Sequence, residues 1–503
     1  MFCKVFGCTT AGVDGTLIHV EIDIANGLPR FEIVGLPDAA VKEAKERVRA
    51  AVRNSGVQFP ARKVTVNLAP ADLRKDSSGL DLPIAVGVLV AAGAVPEAAC
   101  RGAMFVGELS LEGALRAVRG VLPMAVCCKA RGIGQLFVAP ENAAEALLVE
   151  GPAVQAPETL AQLIAALRGE CVLPPPKARA AESVAVQTVD FSDVQGQFAA
   201  KRALEIAAAG GHNVLMTGPP GSGKSMLAKR IASILPAMTR EEALEVTKIY
   251  SVAGLLGGCG GLVTARPFRS PHHTISSAGM VGGGSVPKPG EVTLSHRGVL
   301  FLDELPEFGK QALEVLRQPL EDGVVTISRA AARLAFPASF MLVASQNPCP
   351  CGYFGDAAGN CACTPHEIRR YMKRISGPLL DRIDIHITVP RLNYEELAVQ
   401  HPAENSAAIR ARVEAARQLQ QRRLAERGLF CNAQMGRREL RQEKLTADAQ
   451  ALLEQAFSRM HLSARSYDRI LKVARTIADL AQENAIAARH VAEAVQLRGG
   501  EAF

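Results

Sequence analysis

No run of about eighteen consecutive apolar residues, the minimum for a membrane-spanning helix, occurs in this chain of 503 residues. The longest candidate, Leu82 to Val95, contains Pro83 and stops at Pro96-Glu97. The start, Met1-Phe2-Cys3-Lys4-Val5-Phe6, lacks the charged segment and apolar core of a secretory leader, so a cytoplasmic protein is expected. Cysteine, at 12 residues, is too dilute for a disulfide scaffold. The scattered cysteines read as buried or surface thiols, and only one cluster asks for another explanation. Short internal repeats are absent, and low complexity is confined to one segment. Charge of one sign is not in large excess. The net +7 points weakly to a polyanionic partner, because Lys and Arg supply the salt-dependent part of nucleic-acid affinity.

What is present is more specific. Residues Gly218-Pro219-Pro220-Gly221-Ser222-Gly223-Lys224-Ser225 form a complete phosphate-binding loop, G-x-x-x-x-G-K-[ST]. It follows the apolar run Asn213-Val214-Leu215-Met216-Thr217 and precedes the helical pattern Met226 to Ile231. The glycines let backbone N–H groups converge on phosphate oxygens, Lys224 adds a charge at the β and γ positions, and the Ser225 hydroxyl is placed to hold Mg²⁺. ATP and Mg²⁺ are therefore the expected ligands.

The hydrophobic content of 48% is ample for sizeable cores, and the length fits about three domains. Cys171 to Gln187, with Pro174-Pro175-Pro176-Lys177, reads as a linker (171–187) after an N-terminal domain (1–170). In that domain Phe31 to Gly35 and Lys63 to Leu68 read as strands around an amphipathic helix, Ala39 to Ser55. Over 188–393, the nearly all-apolar runs Asn213–Thr217, Gly298–Leu302 and Phe340–Ser345 alternate with helical stretches, as a parallel sheet covered on both faces requires. From 394 to 503 helical periodicity prevails, notably Asn405 to Arg427 and Ala464 to Gln482. The expected fold class is multidomain α/β.

The second apolar strand runs into Asp303-Glu304, a Walker B arrangement. Asp303 would hold Mg²⁺, and Glu304 would orient or deprotonate the attacking water. The third ends in Gln346-Asn347-Pro348, where Asn347 would act as a sensor of the γ-phosphate. Arg382, in Leu379-Leu380-Asp381-Arg382-Ile383-Asp384 just before a strand, is the candidate arginine finger for a neighbouring subunit's nucleotide.

Together these elements resemble the AAA+ ATPases. Asp193-Val194-Gln195-Gly196-Gln197 matches that family's stretch against the adenine ring, which implies Val194 and Gln197 as nucleotide contacts. The passages Pro267 to His273, Pro289-Gly290-Glu291, Ser295 to Glu304, Leu316 to Glu321 and Asn347-Pro348-Cys349-Pro350-Cys351-Gly352 are similar to the magnesium-chelatase-like proteins of the YifB/ComM group, over essentially the whole chain. The resemblance implies a homo-hexameric motor that encircles DNA and moves branch points in natural transformation. It implies that the loop Arg266 to His273 and the hairpin Val324 to Arg329 with Arg333 to Pro337 project toward a central channel. Arg269, Lys288, Arg329 and Arg333 are then the DNA-facing candidates, with surface charge on loops as the plain alternative. In the C-terminal helices it implies a sensor 2 arginine, Arg465, with Arg469 one turn on as reserve.

Cys349-Pro350-Cys351 and Cys361-Ala362-Cys363, the Cys-rich insert 349–363, would enclose one structural Zn²⁺ in a closed tetrahedron. The C-x-C spacing departs from the usual pattern, His366 could replace one thiolate, and reduced thiols or a redox-sensitive pair are the other readings. Val106-Gly107-Glu108-Leu109-Ser110-Leu111-Glu112-Gly113 with Val121 to Ile133 resembles the Lon protease domain, a ribosomal S5 domain 2-like fold. Its Ser-Lys dyad is missing: Asp81 or Gly79 falls at the Ser position and Met124 at the Lys position, with Ser77 and Ser78 nearby. No hydroxyl beside an amine means no activated nucleophile, so proteolysis is not expected. The leading expectation is a DNA motor with no membrane partner. The alternative is a chelatase-type ATPase that remodels a protein.

Overall fold

The computed structural model describes the whole chain apart from residues 72, 74, 76–77, 177–188, 257–260, 285–286, 330–331, 357–360, 393–403, 461 and 499–503. The N-terminal unit opens with a long hairpin, β1 (Phe2–Ala11) and β2 (Asp14–Ala25). To it are added β3 (Arg30–Val34), β4 (Lys63–Ala69), β5 (Ala103–Phe105), β8 (Gln135–Phe137) and β9 (Ala153–Gln155) in the order β3-β4-β2-β1-β5-β8-β9. A small ribbon, β6 (Glu108–Leu109) with β7 (Leu115–Arg116), lies beside it. The expected helix is present at Ala39–Asn54, with Asp38 as its N-cap. The apolar run set aside as a membrane span is the helix Asp81–Ala91, buried at every residue. No helix among the described residues is long and apolar enough to cross a membrane.

Asp81, which the Lon resemblance would put at the Ser position, starts that helix with its carboxylate buried. Arg47 donates to it twice, at 2.7 and 3.0 Å, and the Leu109 amide donates at 3.3 Å. Burial raises its pKa and the Arg47 ion pair opposes this. Met124 is buried in the helix Val121–Ala130, and Gly79 is buried in a 3₁₀ turn, Ser78–Leu80. These positions serve packing.

The second unit carries β10 (Val214–Thr217), β11 (Phe268–Arg269), β14 (Val299–Leu302), β17 (Met341–Gln346) and β18 (Ile385–Thr388) in one five-stranded sheet, order β11-β14-β17-β10-β18. Every neighbouring pair is parallel. β14 and β17 are buried throughout, which explains why their sequences do not alternate. Two antiparallel ribbons project from this unit: β12 (Gly282–Gly283) with β13 (Lys288–Pro289), and β15 (Val324–Arg329) with β16 (Ala332–Pro337).

The boundary expected near 393 divides the sequence but not the core. The C-terminal helices Ser406–Leu424 and Ala464–Leu480 share one apolar cluster with Phe198–Gly210, Lys224–Ile234 and the sheet. The N-terminal unit also docks on the second unit. Val13, at the β1–β2 turn, is buried in the cluster of Ile249, Met280, Val325 and Phe336. Glu145, whose pKa burial raises, accepts from the Ser251 hydroxyl and, at 2.7 Å, from the Leu122 amide.

Removing Arg47 leaves a buried carboxylate without its cation. Arg47→Ala is expected to destabilise the N-terminal unit by about 3 kcal/mol, seen as an earlier transition in urea by circular dichroism. Because burial holds the folded pKa of Asp81 above its unfolded value, the group favours the fold at low pH and loses that contribution as pH rises through the folded pKa. The defect should therefore be smaller under acidic conditions.

Candidate nucleotide site

The sheet register assembles the site. Leu302 on β14 lies beside Ala344 on β17, and Thr217 on β10 lies beside Gln346, so the residues that follow each strand emerge together at the carboxyl edge. The Ser225 hydroxyl donates to Asp303 Oδ2 at 2.7 Å. Ser345, a hydroxyl near the end of a mostly apolar strand, donates to the other Asp303 oxygen and fixes the carboxylate. Lys224 is buried; its ammonium donates to the carbonyls of Gly218 and Pro219 at 2.7 and 2.8 Å and to Asn347 Oδ1 at 3.3 Å. Burial lowers its pKa, and the charges of Asp303 and Glu304 pull it back. The loop curls through left-handed glycines at Gly221 (φ +77) and Gly223 (φ +90), the second just before the helix Lys224–Ile234. Ser222 is buried inside it, and Pro219 and Pro220 stiffen its start.

Glu304 follows with φ 54, a left-handed conformation for a residue with a side chain. Such backbone costs about 1–3 kcal/mol and concentrates at working sites. Its carboxylate is exposed, with His273 Nδ1 at 3.9 Å. Val194 is buried in the core. Gln197, with φ 52, precedes the helix Phe198–Gly210 and donates through Nε2 to the carbonyl of Pro390 at 2.7 Å and of Ser222 at 3.4 Å, tying the segment before that helix to the phosphate loop.

The arginines lie elsewhere. Arg382 donates to the carbonyls of Pro378 (2.7 Å) and Arg317 (3.2 Å) and to Glu321, while Arg465 sits 3.7 Å from Asp381. Both line a crevice with Arg266, Arg297, Arg469 and Lys472, and no residue of the phosphate loop lines it. Arg469 is mostly buried against the Ile383 carbonyl (3.0 Å) and Asp384 (3.6 Å), so Arg465, 64% exposed, is the freer of the pair. Burial pushes the Asp384 carboxyl up, but the hydrogen bond from His212 with the charges of His212, Arg469 and Lys472 outweighs it and holds the group below the usual range.

Of the channel candidates, Arg269 sits on β11 and makes a two-pronged ion pair with Glu291, at 2.7 and 2.8 Å. Arg266, at the start of the loop expected to face a channel, is held by the carbonyls of Pro236 and Arg297 and by Glu242. Lys288 is exposed on β13. Arg329 and Arg333 lie near the tip of the β15–β16 hairpin, in register with Ala332 and Ser328, and their side chains are outside the described residues.

The four cysteines converge. Cys349 Sγ lies 3.3 Å from Cys351 Sγ and 3.7 Å from Cys361 Sγ, Cys351 Sγ lies 3.6 Å from Cys361 Sγ, and all four sulfurs fall within 4.8 Å of one another. His366 is not part of this group. Sequence reasoning missed Ser345, the approach of His273 to Glu304 and the acids that seat the arginines. Only Ser345 left a signal, as a hydroxyl in an apolar strand.

The parallel sheet, the phosphate loop and the acids beside it define a magnesium-chelatase-like AAA+ protein. Profiles of the families described as "Subunit ChlI of Mg-chelatase", "Magnesium chelatase, subunit ChlI" and "Magnesium chelatase, subunit ChlI C-terminal" match residues 20–142, 190–397 and 403–498. The chain is 43% identical over 500 residues to "Competence protein ComM" of Haemophilus influenzae, covering 98% of this chain and 97% of that protein. It is 44% identical over 489 residues to "Uncharacterized protein YifB" of Escherichia coli, covering 97% and 95%. A "Magnesium-chelatase 67 kDa subunit" of Chlorobaculum parvum matches at 31% over 166 residues, 32% of this chain and 23% of that one. The chain belongs to the ComM/YifB family.

Glu304→Gln is expected to keep nucleotide binding and to lose turnover by about 10²–10⁴-fold. Lys224→Ala should instead lose binding. Titration with a fluorescent ATP analogue beside phosphate release separates the two outcomes.

Proposed function

We propose that this protein is a hexameric, ATP-driven DNA motor, a helicase or branch migration factor that promotes integration of DNA in natural transformation or recombination. The observation that carries it is the division of the catalytic set. Lys224, Ser225, Asp303 and Asn347 meet at one edge of the sheet. Arg382 and Arg465 gather in a crevice without any phosphate-loop residue. Each chain thus supplies half of two sites, which a ring completes. Ser225 and Asp303 would hold Mg²⁺ and supply it to the phosphates, Gly218 to Lys224 would hold the phosphates themselves, and Val194 and Gln197 would serve the base. Glu304 activates water, Asn347 reads the γ-phosphate, and Arg382 and Arg465 of one subunit neutralise charge on its neighbour's nucleotide. The printed name of the Haemophilus influenzae relative supports a competence role and hence DNA.

In this reading Lys288, Arg329 and Arg333 contact the DNA backbone from the two ribbons, and Arg269 does so from the base of its loop in competition with Glu291. The N-terminal unit is Lon-protease-like without the dyad and regulates the ring or contacts DNA. Zn²⁺ fills the four-thiol cluster as a structural ion: tetrahedral Zn–S bonds of about 2.3 Å place sulfurs about 3.8 Å apart, close to the spacing found. The protein works in the cytoplasm.

A labelled four-way DNA junction should be resolved by the protein with ATP and Mg²⁺, and not by Glu304→Gln. Arg382→Ala is expected to cut ATP turnover by about 10³-fold or more. Mixing it with Lys224→Ala should restore part of the activity, since intact pairs form at some interfaces. A junction left unmoved, with an ATPase rate indifferent to DNA at low salt, sinks the DNA reading and favours a protein substrate.

A further inference from the structure

The four-thiol cluster is not remote from the nucleotide site. Asn347, which meets Lys224 at 3.3 Å, is two residues before Cys349, and the chain then turns back at once. Cys349 Sγ, fully buried, accepts from the amides of Gly352 at 3.2 Å and Phe354 at 3.3 Å. The turn ends with Gly352 against the phosphate loop: a Cβ there would meet Pro220 Cδ at 2.6 Å and Cγ at 2.7 Å, and Gly352 has φ +88. The segment 347–352 thus touches the phosphate loop at both ends. Cys361 and Cys363 approach from the far side, just before the capped helix Pro365–Met372. Sulfur separations of 3.3 to 3.7 Å are far from the about 2.05 Å of a disulfide, and the closed set leaves no open coordination position.

We propose that a Zn²⁺ held by Cys349, Cys351, Cys361 and Cys363 braces the phosphate loop through the contact of Gly352 with Pro220, so that metal occupancy sets nucleotide affinity. This rests on the reading of the site as an ATP site and of the cluster as a zinc site. With the ion bound, the 349–352 turn is rigid, Gly352 backs Pro220, and Asn347 is held where it reaches Lys224. Without it, the turn has only its own hydrogen bonds, and the loop loses its support on that side. Gly352 is then a positioning residue: it touches no nucleotide, and its lack of a side chain sets how closely the braced turn approaches the loop.

The test uses the full chain. Elemental analysis should find one zinc per wild-type chain and none in the Cys361→Ser, Cys363→Ser double variant. The dissociation constant for a fluorescent ATP analogue with Mg²⁺ should rise about tenfold or more, the scale on which outer-shell residues act, in the double variant and in chelator-stripped wild type. Added ZnCl₂ should restore the stripped protein. Gly352→Ala should retain its zinc yet lose comparable affinity, whereas Gly355→Ala, which carries similar backbone strain (φ +77) but meets nothing within 4 Å, should keep wild-type affinity, a split that backbone strain alone would not produce. If wild type carries no zinc, the reading of the cluster fails and the brace with it. If wild type binds no nucleotide, the ATP-site reading fails instead. If zinc is present but neither stripping nor Gly352→Ala moves the affinity by more than about twofold, under half a kcal/mol, the brace is overturned. Should the double variant not fold, the stripped wild type and Gly352→Ala decide.

Discussion

The parallel register of β17 between β14 and β10 is the constraint on which the rest of this structure depends. Because β17 pairs with both neighbours and is buried along its whole length, Asp303, Ser345, Asn347 and the phosphate loop must leave the sheet at one level. A slip of one residue would turn every side chain of the strand to its opposite face and move Asn347 away from Lys224. The hydrogen bonds among Lys224, Asn347, Ser225 and Asp303 follow from that alignment. The Lys224 ammonium donates to the loop's own carbonyls, which offsets the cost of burying it.

The surroundings of the sheet extend the same logic. On one side the C-terminal helices complete its apolar cover and carry Arg465 and Arg469 to the carboxylates of Asp381 and Asp384. On another, the N-terminal unit inserts Val13 into the cluster that also holds Val325 and Phe336, at the base of the β15–β16 hairpin. A hairpin proposed to meet DNA is thereby packed, at its base, against the N-terminal unit. Within that unit the buried Asp81–Arg47 pair ties the helix that begins at Asp81 to the helix Ala39–Asn54.

Much of this was legible in the chain. The phosphate loop, the Asp303-Glu304 pair and the Asn347 strand end declared themselves because their residue types sit next to apolar runs of strand length, and those runs are strands within a residue of where they were expected. The long β1–β2 hairpin went unread, since its sequence mixes Gly, Thr and polar residues and only its pairing with β4 and β5 buries it. Arg269 reads in sequence as a free cation in a loop, yet a carboxylate 22 residues on captures it. Spacing in sequence carries no information about which acid will face which base.

By itself the sequence determined the chemistry on offer: a loop whose glycines admit phosphate, acids at a strand end for a metal, four thiols in one insert, and a Ser-Lys pair that is missing. Tertiary structure alone decided their grouping. Strand order brought the phosphate loop, Asp303 and Asn347 together, helix packing sent Arg382 and Arg465 to a different crevice, and the absence of a side chain at Gly352 let the cysteine turn close on Pro220. The physical reason is range. Local backbone preference and apolar periodicity act over a few residues, whereas these contacts are set by the burial of a sheet whose strands lie more than a hundred residues apart, as Val214 and Val343 do.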